Sequence, residues 1–118
     1  MGTLSMSNLD KEYDPHDAIN FIYTHKDAYA KAKGQLAQLE AFKSSLKAIQ
    51  MQLSSQTSIS GKEMDAYASE DYQALCNGIG AATEQVESLR WALESAKMRF
   101  QAWQTESANN RQIEKFTI

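Results

Sequence analysis

The chain has 118 residues, with 12 basic and 15 acidic side chains giving a net charge of −3; this length fits one domain by the usual range of roughly 100 to 200 residues. Hydrophobic content of 42% and charged content of 23% exclude the composition of a disordered chain, which is poorer in large apolar groups. The acidic balance excludes overall attraction to phosphate backbones, so nucleic-acid binding needs a local basic surface.

Residues 1–13 mix small, polar and charged groups without a period and read as a mobile arm. The start, MGTLSMSNLDKEYD, has neither the basic nor the apolar region of a secretory signal. Its loose likeness to a myristoylation pattern fails at Met6, where Ser or Thr is wanted. Order is expected from Asp14, which can cap free N–H groups, with Pro15 presetting φ and Asp17 adding charge to the first turn.

A helix of about 15–54 follows, with an apolar stripe through Ile22, His25, Tyr29, Ala32, Leu36, Leu39, Phe42, Leu46, Ile49 and Leu53 in steps of three and four. The step from Leu39 to Phe42 departs from a strict heptad, turns Lys43 outward and shifts the register. Gly34 is tolerable in so long a helix and is read as a mark of close packing. The Ser-, Thr- and Gly-rich stretch 55–62 reads as the turn, with a short helix at about 63–68. Ser69, followed by Glu70 and Asp71, then starts a long helix of about 70–110. Its seam has two rows at intervals of seven: Tyr72, Ile79, Val86, Leu93 and Phe100, and Leu75, Ala82, Leu89, Ala96 and Trp103.

The sequence therefore predicts an all-α fold, a long antiparallel, coiled-coil-like helical hairpin with a short helix at the turn, as one domain over 14–118. Two helices bury one stripe each, and Phe21, Trp91 and Met98 lie outside it, so a dimer or higher homo-oligomer is expected.

Little in the sequence points to chemistry. His16 and His25 are nine residues apart, not the i, i+4 pair of a metal site, and His25 on the stripe reads as structural. Cys76, the one cysteine, cannot form an intrachain disulfide and has no histidine placed by sequence to activate it. NGIGAA lacks the Lys-Ser/Thr of a phosphate loop. No enzyme activity, metal or cofactor is expected. No apolar run reaches the roughly 20 residues of a membrane span. Charge is uneven: Ser60 to Leu89 carries one Lys against six acids, while Arg90 to Ile118 carries five basic residues against three acids. Trp91, beside Arg90, is the candidate anchor for a partner helix or a stacked base. Trp103 reads as core.

The segments EMDAYAS and YQALCNGIGAATEQVESLRWALESAKMRFQAWQTESANNRQ resemble small coil-containing proteins of tailed phages, often encoded among recombination genes. The likeness spans about residues 42–111. It rests on KSSLKA before the turn, AYA before the helix, the LRW-x-L step from Leu89 to Leu93, and the RFQAWQTESANNR ending. The order of long helix, polar turn, EM-containing segment and second long helix with a basic end is similar to that of UvsY-type recombination mediators. Those are helical oligomers that load a recombinase onto coated single strands, although this chain departs from them in its net acidic charge.

The resemblance implies a non-enzymatic accessory protein of phage DNA recombination or replication in the cytoplasm of a bacterial host. Its expected partners are a recombinase, single-strand-binding protein or single-stranded DNA, met by Lys43, Lys47, Arg90, Trp91, Lys97, Arg99 and Arg111. The alternative is a phage inhibitor of a host defence or repair complex, using the acidic segment from Glu63 to Glu87 as a phosphate mimic. A helical-hairpin secretion substrate shares the size and topology, but its W-x-G turn is absent.

Overall fold

The computed structural model describes residues 13–117, so all of the expected arm except Tyr13 lies outside the described residues. Three helices account for 92% of the described residues, with no strand among them: α1 (Pro15–Leu53), α2 (Ile59–Ala68) and α3 (Glu70–Thr117). The described residues divide into two compact units, one from 13–27 with 90–117 and one from 28–89. Both use the same two long helices running in opposite directions, so the fold is a helical hairpin with a short helix at its turn.

The ends of the helices follow from local hydrogen bonding. Asp14 Oδ1 accepts the His16 N–H at 2.9 Å, satisfying one free donor of the first turn, while Pro15 has no N–H to satisfy. At the turn, α2 begins at Ile59 and not near 63, because Ser58 is an N-cap whose Oγ accepts the Gly61 N–H at 3.0 Å. The expected turn of 55–62 thus contracts, with Ser60 and Gly61 inside the first helical turn. Ser54 Oγ donates to Asp65 Oδ2 at 2.6 Å and accepts from Gln56 N at 3.1 Å, tying the linker to α2. Ser69 ends α2 and starts α3, donating its hydroxyl to Ala66 O at 2.7 Å and accepting the Tyr72 N–H at 3.2 Å. At its far end α3 runs to Thr117, past the expected stop near 110. No Gly or Pro follows Gly80, and Lys115 complements the dipole of the last turn.

The α3 seam is buried at Tyr72, Leu75 and Val86 and half-buried from Ile79 to Phe100. In the 28–89 unit, Leu46, Tyr72 and Leu75 form a cluster with Leu39, Cys76 and Ile79 packed against it. Removing each such large side chain from water contributes about 1.5–3 kcal/mol. Three expectations are corrected. Phe42, Ile49 and Leu53 are exposed, Leu53 by 74%, because the helix keeps its register: Leu39 and Leu46, seven apart, both pack in the core, Phe42 and Ile49 fall off that row, Leu53 is the last residue of α1, and Lys43, expected to face outward, lies over the Tyr72 ring. Trp103 is 36% exposed: Tyr13 already lies against Arg99, so α1, which begins at Pro15, has no turn left to cover it. Gly34 marks no close approach, since an added Cβ would meet nothing within 4 Å.

The glycines therefore divide. Gly34 and Gly80 have open space and ordinary φ, so Gly34→Ala and Gly80→Ala should each stabilise by about 0.4–1 kcal/mol through a less flexible unfolded chain. At Gly61 an added Cβ would lie 2.9 Å from Ser58 Oγ and 3.0 Å from Gln56 Cβ, so Gly61→Ala should displace the cap and destabilise by roughly 1 kcal/mol. Thermal unfolding followed by circular dichroism should move the melting temperature up for the first two and down for the third.

Ser69→Ala removes both junction bonds at once and should lower stability by about 1 kcal/mol. A melting temperature equal to that of the parent chain would contradict the capping role.

Candidate partner-binding faces

The candidate basic residues fall into both units. Lys43 and Lys47 belong to the 28–89 unit, which holds five lysines and seven acids. Lys47 Nζ lies 3.7 Å from Glu63 Oε1 and 4.8 Å from the centroid of the Tyr67 ring. Hydrogen bonding to Tyr67 holds this ammonium above the usual lysine range, outweighing an opposing desolvation, with a lesser upward contribution from the negative charge of Glu63. Lys43 Nζ sits 6.0 Å over the Tyr72 ring. Both cations thus cover tyrosines beside an acidic α2–α3 junction and build no basic surface of their own.

Arg90, Lys97 and Arg111 belong with Trp91 and Arg99 to the other unit. Arg90, Lys97, Gln104 and Arg111 recur every seven residues, so they form one row along α3, beside the seam. Arg99 lies on the opposite flank of the helix, its guanidinium 4.9 Å over the Tyr13 ring. The Arg90 guanidinium lies 5.0 Å over the ring of Trp91, leaving the indole 55% exposed.

Trp91 also heads a larger feature. Met98, Ile113 and Phe116 are exposed as well, Phe116 by 88%. Their spacings of 7, 15 and 3 residues hold all four within about 60° of one another at 100° per residue. Leu93 and Phe100 of the seam lie half a turn away, so this part of α3 is apolar on two opposite faces. Trp91 and Met98 stand out in the sequence, but an expected helix end near 110 hides their alignment with Ile113 and Phe116.

Exposed apolar groups also gather in the 28–89 unit, at Phe42, Ile49 and Leu53 on α1 and Ile59, Met64 and Tyr67 on α2. A cleft of about 290 Å³ lies between Tyr13, Asp17 and Phe21 on one side and Ser95, Ala96 and Arg99 on the other. The Tyr13 hydroxyl is buried there without a hydrogen-bond partner.

His25 is held by structural interactions. Its ring stacks on Phe21 at 4.0 Å, and Nδ1 lies 2.8 Å from the Phe21 carbonyl oxygen. That oxygen can only accept, so Nδ1 carries a proton. Cys76 packs against the Leu46 cluster. Among the described residues, no group of three or more His, Cys, Asp or Glu is placed to hold a metal ion, and no helix is long and apolar enough to cross a membrane. No protein-family model, curated protein or solved structure matches the chain.

The raised Lys47 pKa fixes a sign. The charged lysine's stabilising interaction is complete at neutral pH and is lost only as pH rises through the raised value. In an NMR titration of the Lys47 side chain, Tyr67→Phe should move the midpoint down toward the ordinary lysine range, and an unmoved midpoint would contradict the assigned cause.

Proposed function

We propose that this chain is a non-catalytic, self-associating helical protein that works by docking partners, and that its setting is DNA recombination or replication of a tailed phage in its bacterial host. The observation that carries the docking part is the imbalance of apolar groups. Among the described residues seven apolar side chains are buried, three of them alanines, while thirteen large ones are exposed. Large exposed apolar patches on soluble chains mark interaction surfaces, and self-association covers them most simply.

The recombination setting rests on the resemblance of residues 42–111 to small phage coil proteins. The row Arg90, Lys97 and Arg111 beside exposed Trp91 supports binding of single-stranded DNA, since cations that track the backbone and aromatic rings that stack on bases are the two parts of such a site. Lys43 and Lys47, engaged with tyrosines and Glu63, have at most a secondary part in that reading. A recombinase or single-strand-binding protein is the expected protein partner. Inhibition of a host complex is the competing outcome, favoured by the acidic 28–89 unit.

The proposal is tested with a labelled oligothymidine at several salt concentrations. Binding should weaken steeply with salt. The triple variant Arg90→Gln, Lys97→Gln, Arg111→Gln should lower the salt slope by about 2, because each single-strand phosphate neutralised by a cation adds about 0.7 to that slope. Absence of binding at low salt removes the DNA part. A strictly monomeric chain in sedimentation velocity removes the self-association part.

A further inference from the structure

We propose that the Trp91–Phe116 face of α3 is an antiparallel, two-fold interface that seats the same face of a second copy. This rests on the reading of the chain as self-associating and names the surface that does it. The face is defined by Trp91, Met98, Ile113 and Phe116, all exposed, with Ser95, Ala102, Thr105 and Asn109 between them. Large groups stand at the two ends and small ones at the middle, the arrangement in which two helices approach closely at the centre and bury their ends against each other.

Charge selects the occupant and its direction. Arg99, whose guanidinium rests on the Tyr13 ring at the edge of this face, and Glu106 lie on the same flank, about 20° apart at 100° per residue. A two-fold axis through a point between Ala102 and Trp103 brings Arg99 of each copy opposite Glu106 of the other, because like flanks face each other in an antiparallel pair. The same register sets Trp91 of one copy against Ile113 and Phe116 of the second, and Ala102 against Ala102. In a parallel pair the like flanks fall on opposite sides, so Arg99 of one copy meets no Glu106 of the other.

The area is sufficient but modest. The exposed parts of the four large side chains come to roughly 500 Å² per copy, so the pair removes on the order of 1,000 Å², the lower bound of a specific interface. Association in about the micromolar range follows. A functional consequence accompanies the geometry: the Arg90–Lys97–Arg111 rows of the two copies come to lie on the same side of the dimer. A pair then presents twice the basic row of one chain, the local positive surface that the acidic composition otherwise lacks.

The test is sedimentation equilibrium of the full chain and its variants, with circular dichroism confirming that helix content is kept. Trp91→Lys should raise the dissociation constant at least about thirtyfold, as expected for loss of an aromatic anchor. Arg99→Glu and Glu106→Arg should each raise it about five- to tenfold, and the two together should restore it. Cysteine cross-linking in a Cys76→Ala background fixes the direction. Ala102→Cys should form disulfide dimers readily. Ser95→Cys and Asn109→Cys should form them only when the two variants are mixed.

A dimer unaffected by these substitutions would overturn the interface while leaving self-association standing. A chain that is monomeric throughout would overturn both. Homodimers of Ser95→Cys alone would overturn the antiparallel order.

Discussion

The constraint on which the rest depends is that two helices packed against each other can each bury only one stripe. The seam from Tyr72 to Phe100 uses up the stripe that α3 offers to α1. With small groups such as Ala18, Ala32 and Ala66 among the few buried side chains, the apolar area removed from water is limited. Small folds with so thin a core ordinarily gain stability from disulfides, metals or assembly. With one cysteine and no metal-binding cluster among the described residues, assembly is the route we propose.

The same constraint explains where the exposed apolar groups stand. Beyond Phe100, α3 continues without a facing turn of α1, which exposes Trp103. On the other side of α3, Trp91 and Met98 face away from the seam whatever α1 does. Near the turn, α1 keeps the interval of seven from Leu39 to Leu46, so Phe42 and Ile49 fall outside the seam, and Leu53 is exposed as the last residue of the helix. Polar groups are distributed accordingly: Lys43 and Lys47 close over Tyr72 and Tyr67, and Ser54, Ser58 and Ser69 hold the turn through their hydroxyls.

Much of this architecture is legible from residue spacing. The heptad rows of α3, the Asp14–Pro15 start and the Ser69 junction all depend on local rules, and local rules survive the absence of tertiary information. What escapes is set by the partner helix or by a competing local bond. Trp103 occupies a seam position, yet its burial depends on how far α1 extends. Ser58 and Gly61 look like loop residues by type, yet one caps the helix that the other enters. Gly34 resembles a packing site but meets open space. Of the candidate basic residues, Arg90, Lys97 and Arg111 share a row because their spacing is a multiple of seven. Arg99 does not, and Lys43 and Lys47 belong to the other unit.

The central claim is that association contributes to the stability of this fold by covering apolar surface that two helices leave exposed. Its most direct measurement is the melting temperature of the unmodified chain over about a hundredfold range of protein concentration, because a fold stabilised by self-association becomes more stable as concentration rises. The expected result is a melting temperature that climbs steadily with concentration. A melting temperature independent of concentration, with unfolding fully reversible, would contradict the claim.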